Sequence, residues 1–520
     1  MINVLTAEAM READRETIQD LGIPGFTLME TAGRVAAHRL LDQIAPGHDR
    51  VLCFAGRGNN GGDALVVARV LHAAGIDTDV FLVGSDDQET EDSRTNRRIL
   101  EHIANETSTP GLSISRFQDA SEILSIDATW IVDGLLGTGI RGDLREPFAA
   151  AANAIRVHPA RVLSLDVPTG LDADTGKAAA NTVYADMTVC MGALKPGVLL
   201  NDGRKMAGEL AVAEIGIPDF IMRRHSDRVG CGFQPDRHDI AARLPSRSLN
   251  ANKYSSGTLV VLAGSPGLTG APALSSQAAM RVGAGAVICA TRASSRRMVE
   301  EKVVEVMVAE IPDDDEGILD GAEDMLVDHL SRADSIVIGC GLGRERATGS
   351  FVRRILADWK GPAVVDADAL FALSGDIDFI KRHANGRWIL TPHKGEFDRL
   401  VGSESDWNRR AEIAARFARE WNCVLFLKGN PSIIGFPDRP PCFNPTGNES
   451  LATAGTGDVL AGMIGGFLAQ GLAPADAAIC AAWIGGKVAD LYADEYGTAS
   501  MIASDILHRV PDIVATLAAE

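Results

Sequence analysis

The chain reads as an α/β protein of two domains, each built on a parallel sheet covered by helices on both faces. Three observations predict this. Short apolar, β-branched runs alternate with helical patterns along the whole length. Hydrophobic residues make up 46% of 520 residues, enough to bury more than one core. Glycine, at 53 residues, exceeds the usual ~7% and supplies many strand-to-helix turns.

In the first half, the runs 51–55, 80–83, 130–132, 162–165 and 188–191 read as strands. In the second half, 258–263, 286–290, 335–338, 363–365, 388–390 and 424–427 do the same. Such runs, continuously apolar and separated by helices, belong to strands buried on both faces. Between the halves, 217–248 is polar, basic and proline-punctuated, with no sustained strand–helix alternation. The boundary is therefore expected near residue 235, with one domain over 1–230 and the other over 236–520.

A net charge of −20 argues against nucleic acid as a partner, because phosphate backbones are held by basic surfaces. The acidic runs 86–92 and 313–316 read as solvated loops. No basic segment followed by an apolar one marks the amino terminus for secretion. The richest apolar stretch, 459–469, is too short to span a bilayer and is followed by Gln470, Pro474 and Asp476. Eight cysteines (Cys53, Cys190, Cys231, Cys289, Cys340, Cys423, Cys442 and Cys480) contain no C-x-x-C pair and read as reduced core thiols. The expectation is a cytoplasmic protein with neither a membrane nor a nucleic acid as partner.

The strand at 51–55 runs into Gly56-Arg57-Gly58-Asn59-Asn60-Gly61-Gly62-Asp63 and then into a helix stopped by Gly75. Gly56, Gly58 and Gly61 satisfy G-x-G-x-x-G, but so do Gly137, Gly139 and Gly142. The pattern alone does not separate a dinucleotide loop from a tight turn. Other strand ends carry Asp133 to Gly139, Asp166 to Gly170, and Lys195-Pro196-Gly197. Polar residues at the carboxyl ends of successive parallel strands converge on one crevice. Asn60, Asp133 and Thr169 offer hard oxygen ligands suited to an alkali or alkaline-earth cation. Asp63 is equally an acid at a helix start, and Asp133 a turn former.

The stretches LMETAG at 28–33, GNNGGD at 58–63, DGLLGTG at 133–139, DVPTGLD at 166–172 and GALKPG at 192–197 resemble the NAD(P)H-hydrate epimerase (YjeF-type) domain over residues 1–216. The resemblance implies a Rossmann-like three-layer αβα fold. It also implies contacts of the hydrated dinucleotide with Asn59, Asn60, Gly61, Gly62 and Asp63, with Gly137, Thr138, Gly139, Ile140, Arg141, Gly142 and Asp143, and with Asp166. A potassium ion would sit at Asn60, Asp133 and Thr169. Ala64 stands where the family often has Gly, and Thr169 where it often has Ser, which keeps the hydroxyl. Epimerisation needs proton transfer beside a ring nitrogen, for which Asp166 is the candidate acid/base and Lys195 the second.

In the second half, Gly455-Thr456-Gly457-Asp458 opens an apolar, small-residue helix. Glycines turn backbone N–H groups toward an anion and the helix points its positive end there, making a phosphate seat. Asp458 is then placed to take a proton from a hydroxyl that attacks a phosphoryl group. Lys428-Gly429-Asn430-Pro431-Ser432 follows a strand and brings a cation and N–H groups to a phosphate. His393, at another strand end, is by itself either a structural hydrogen-bonder or a contact.

The stretches NKYSSGTLVVLAGSPGLTGAPAL at 252–274, GCGLG at 339–343, VVDADAL at 364–370, TPHKGEF at 391–397, LKGNPSII at 427–434 and NESLATAGTGDVLAG at 448–462 resemble the ADP-dependent NAD(P)H-hydrate dehydratase domain, a ribokinase-like αβα fold, over residues 245–520. The resemblance implies adenine-nucleotide contacts at Lys428, Gly429, Asn430, Pro431, Ser432 and Gly457. It implies hydrated-nicotinamide contacts at Ala271, Gly343, His393 and Asp458, ADP as co-substrate, Mg²⁺, and a homo-oligomer. Asp366 and Glu396 either position Mg²⁺ through water or cap turns. Lys394 stands at a variable position, often Pro in the family.

Together the halves imply repair of hydrated NADH and NADPH: epimerisation of the R and S forms, then ADP-dependent dehydration of the S form to NAD(P)H, AMP and phosphate. The rivals are a kinase leaving a stable phosphate ester, a first domain serving only to bind, and a nicotinamide dehydrogenase.

Overall fold

The computed structural model describes residues 1–85, 89–106, 111–247, 250 and 252–518. The chain separates into one unit of residues 2–232 and another of Met1 with residues 233–520. Both are α/β, with parallel sheets.

In the first unit, seven strands lie in the order Leu112–Arg116, Asp77–Leu82, Arg50–Ala55, Trp130–Gly134, Arg161–Leu165, Met187–Met191, Glu209–Ala213, every pair parallel. Alternation along each strand divides the core between two faces. Val51, Cys53, Ala55 and Val132 pack with Ala32 and Ala36 of helix Gly25–Leu41 and with Ala64 and Val67 of helix Asn59–Ala73. Leu52, Phe54 and Ile131 face the other way, onto Ala151, Ala152 and Ile155 of helix Phe148–Val157.

From strand Arg50–Ala55 the chain first proceeds to one side of the sheet, then returns beside it with Trp130–Gly134 and proceeds to the other. The connections therefore diverge between these two strands and leave a crevice outside their carboxyl ends. The loops close it tightly. A Cβ on Gly56 would lie 1.8 Å from the Leu135 carbonyl oxygen.

The second sheet repeats this plan. From strand Thr258–Leu262 the chain goes outward through Ala286–Arg292 and Met307–Ile311. It returns on the other side through Ser335–Ile338, Ala363–Val365, Trp388–Leu390 and Val424–Leu427, all parallel. Ile433–Gly435 and Cys442–Phe443 extend it antiparallel. The order reverses between Thr258–Leu262 and Ser335–Ile338. Helices Gly270–Arg281, Thr456–Ala469, Pro474–Tyr496 and Ala503–Ala518 cover the face carrying Leu259 and Val261.

The parallel interior strands lie where the apolar runs place them; the edge strands and the antiparallel strands Ile433–Gly435 and Cys442–Phe443 were not foreseen. Leu112–Arg116, Glu209–Ala213 and Met307–Ile311 keep several residues exposed or half-buried, so none shows a continuous apolar run. Residues 313–316 form a tight hairpin, with Asp313–Asp314 paired to Gly317–Ile318, and Asp313 accepts from Ser294. The 217–248 segment holds helices Asp219–Ser226 and Arg237–Ala241. Of the other acidic run, residues 86–88 lie outside the described residues, and 91 and 92 begin helix Glu91–Glu106. All eight cysteines are buried and unpaired. No helix among the described residues is long and apolar enough to cross a membrane.

Gly56→Ala is expected to destabilise the first unit by about 3 kcal/mol, because the methyl group meets backbone. Gly58→Ala, whose Cβ meets nothing within 4 Å, is the control. Urea unfolding of both full-length variants measures the difference.

Candidate active sites

In the first unit, strand Arg161–Leu165 ends at Asp166, whose φ of 67° is unusual for a residue with a side chain. Its carboxylate accepts from Lys195 Nζ and, at 3.2 Å, from the Met191 N–H. Lys195 is 1% exposed and donates also to the carbonyls of Met191 at 2.8 Å and Ala193 at 3.1 Å. The ammonium is fixed by three oxygens and fixes Asp166 in turn.

Asp133 ends strand Trp130–Gly134 fully buried. It accepts from the Thr169 N–H at 2.9 Å, the Thr169 hydroxyl at 2.7 Å and Ser164 at 2.9 Å. Burial pushes its carboxyl above the usual range, and these donors only partly offset the rise. Asn60, on the first turn of helix Asn59–Ala73, is buried, and neither its amide oxygen nor its amide nitrogen has a partner among the described residues. An unpaired buried amide costs about 1–3 kcal/mol, so this side chain is poised for a ligand.

A cavity of about 470 Å³ opens at the crevice, lined by Asn59, Asn60, Asp63, Gly137, Thr138, Gly139, Asp166 and Lys195. Asp63 is held well above the ordinary carboxyl range by burial, with the Asp166 and Asp14 carboxylates adding to the rise. Other predicted contacts fall elsewhere. Gly61 and Gly62 lie buried behind the loop, and Arg141, Gly142 and Asp143 are exposed beyond the cavity lining, as the loop runs out over the surface; Ile140 is likewise off the lining. Met10, Arg11, Asp14 and Asp92 line the cavity and were not foreseen, since they come from helices before and after the motifs.

In the second unit, helix Thr456–Ala469 starts from Gly455 at a φ of 94°, where a Cβ would also lie 2.7 Å from Leu274. Asp458 occupies its first turn. Its carboxyl is pushed up to about 6, first by burial and then by the Asp366 carboxylate. Asp366 is 1% exposed and bonded at 2.6 Å to Lys428 Nζ. The Lys428 ammonium rises above its usual range because Asp366 and Glu396 outweigh the opposing effect of burial. Cys340, Asp366 and Asp458 place their ligand atoms within 4.8 Å of one another.

A cavity of about 550 Å³ is lined by His393, Lys428, Gly429, Asn430, Ser432 and Gly457. Pro431 is buried behind that loop, and Asp458 is off the lining although its neighbours Gly457 and Val459 are both on it. Gly343 lines a separate hollow of about 320 Å³, and Ala271 packs beside Gly341. His393 caps helix Lys394–Val401: its Nδ1 accepts from the N–H of Gly395 at 3.0 Å and of Glu396 at 3.3 Å. That leaves Nε2–H as the donor, 3.5 Å from the Glu396 carboxylate. Glu396 completes the capping box by accepting the His393 N–H at 2.9 Å, so of its two readings the structure supports the turn cap. Lys394 pairs with Asp398 at 2.7 Å. Asn444, Thr446 and Asn448 also line the cavity; Asn444 and Thr446 were missed because they belong to a strand-end segment without a glycine-led motif.

Comparison with known proteins follows this division. Residues 25–197 match the family described as YjeF-related protein N-terminus, and residues 259–512 match NAD(P)H-hydrate dehydratase. A bifunctional NAD(P)H-hydrate repair enzyme of Salinibacter ruber is 39% identical over 520 residues, 98% of this chain and 96% of that one. The enzyme of the same name from Moorella thermoacetica is 37% identical over 530 residues, covering 99% and 97%. The crystal structure of an ADP/ATP-dependent NAD(P)H-hydrate dehydratase from Bacillus subtilis, with ATP/Mg²⁺, is similar with 30% identity and a TM-score of 0.47, covering 55% of this chain and 99% of that one.

Lys428→Met leaves Asp366 buried without its counter-charge and should cost the second unit about 3–5 kcal/mol. The double variant with Asp366→Asn should recover most of that loss in chemical denaturation.

Proposed function

The chain belongs to the family of bifunctional NAD(P)H-hydrate repair enzymes, with both an epimerase and an ADP-dependent dehydratase domain, and we propose that Asp458 and Asp166 carry the two reactions. The observation that carries this is the matched design of the two cavities. Each opens at the carboxyl ends of parallel strands, and beside each a carboxylate at a strand end is locked to a lysine of the cavity lining.

In the dehydratase site, ADP lies along Lys428, Gly429, Asn430, Ser432 and Gly457, with its terminal phosphate at the amino end of helix Thr456–Ala469. Asp458 takes the proton of the substrate hydroxyl as that oxygen attacks the terminal phosphate. The new P–O bond forms as the bond to AMP breaks. The phosphate group then departs with the C–O electrons, pushed by the ring nitrogen lone pair, and loss of a neighbouring proton restores the dihydropyridine. A carboxyl near 6 is ionised at neutral pH yet still basic enough for this work. His393 offers its Nε2–H to the nicotinamide carboxamide. Asp366 and Asp458 have one ammonium between them, a negative excess that fits Mg²⁺; when bound, the ion neutralises charge developing on the phosphate.

In the epimerase site, Asp166 transfers protons to and from the oxygen on the hydroxylated ring carbon while Lys195 orients it. Asn60, Asp133 and Thr169 would hold K⁺. The unpartnered Asn60 amide and the buried Asp133 charge fit such an ion, which when bound supplies positive potential beside the ring.

The test mixes purified protein with both epimers of hydrated NADH and ADP and follows the dihydronicotinamide absorbance. ADP-dependent recovery is expected; a stable phosphate ester in its place would mean a kinase. Asp458→Asn should lower dehydration by about 10²–10⁴-fold and leave epimerisation intact. Asp166→Asn should do the reverse. Because the base must be ionised, dehydration should fall as pH drops through about 6, and the residual rate of Asp458→Asn should lack that limb.

A further inference from the structure

We propose that Asp14 is a catalytic acid of the N-terminal cavity, delivering a proton to the hydroxyl that leaves the ring carbon during epimerisation. This rests on reading that cavity as the epimerase site.

Asp14 lies on helix Ala7–Arg15, which buries Ala7, Ala9, Met10 and Ala13 in the core. Its amino end is pinned by the Thr6 cap and by Asp174, which accepts the Ala7 N–H at 2.7 Å. With one face committed to the core, the helix sets Asp14 on the cavity wall together with Asn60, Asp63, Asp166 and Lys195. The Asp14 carboxyl makes no hydrogen bond or ion pair among the described residues, so packing and capping do not account for it. The charged groups facing this space are Arg11 on its own helix, Asp63 from helix Asn59–Ala73, Asp92 from helix Glu91–Glu106, and Asp166 and Lys195 at the strand ends. Burial pushes Asp14 up to about 6, with Asp166 adding and Lys195 opposing.

Inversion at the hydroxylated carbon proceeds here by breaking the C–O bond and re-forming it on the other face. As the bond breaks, the ring nitrogen lone pair becomes a C=N⁺ bond and the hydroxyl departs as water, using the Asp14 proton. Water then adds to the opposite face, its proton goes to Asp166, and the electron pair returns to nitrogen. No atom or electron is gained, and proton exchange through solvent resets the two carboxyls. The environments fit these roles: Asp166, locked to Lys195, is the carboxylate, and Asp14, unpaired, keeps a proton more readily. Asp63 is 7% exposed and sits deeper.

The test uses the full-length chain and measures interconversion of purified epimers without ADP. For Asp14→Asn, kcat should fall about 100-fold or more with KM changed less than about 3-fold, and Asp14→Glu should restore part of the rate. Wild-type activity should decline as pH rises through the Asp14 pKa, and the residual activity of Asp14→Asn should not. Retention of kcat in Asp14→Asn, or loss of the alkaline limb in Asp63→Asn instead, would overturn the proposal. So would a wild-type profile with no alkaline limb, whether or not the variants fold. Absence of epimer interconversion in the wild type would instead overturn the epimerase reading itself.

Discussion

Both sites depend on one constraint: backbone from two neighbouring strand ends must meet with no side chain between them. At Gly56 the opposing atom is the Leu135 carbonyl oxygen, 1.8 Å from where a Cβ would lie; at Gly339 it is the Asp366 carbonyl oxygen, at 2.0 Å. The first contact sits where its sheet reverses its order, so that helices leave in opposite directions and open a crevice; the second lies one strand beyond the reversal of its sheet. The glycines keep the floor of the crevice narrow and let its polar strand ends converge. Asp133, Asp166 and Lys195 meet in one unit, and Asp366, Lys428 and the helix bearing Asp458 meet in the other.

The two crevices also solve the same electrostatic problem. A carboxylate removed from water is costly unless paired. Each unit pairs one carboxylate with a buried or half-buried lysine, Asp166 with Lys195 and Asp366 with Lys428. Each leaves a second carboxyl without a cationic partner of its own and lifted to about 6, Asp14 in the first unit and Asp458, beside Cys340, in the second. In the proposed reactions the two lysines fix geometry, while Asp166 and Asp14 in one unit and Asp458 in the other move protons.

The amino-acid sequence by itself determined the interior strands, because a strand buried on both faces must be apolar throughout. It also marked the strand-end loops, because close backbone approach admits only glycine. The family and its two reactions followed from those loops. Strands such as Leu112–Arg116 and Met307–Ile311 were hidden because an edge tolerates polar residues. Tertiary structure alone decided which residues share a cavity. It brought Asp14 from a helix near the amino terminus and Asn444 and Thr446 from an antiparallel edge, and it carried Arg141, Gly142 and Asp143 away from the lining although they continue a matching motif. It also decided that Glu396 is spent on a helix cap. Proximity and burial set the charge state of a carboxyl, and both are properties of the packed chain that no local pattern of residues encodes.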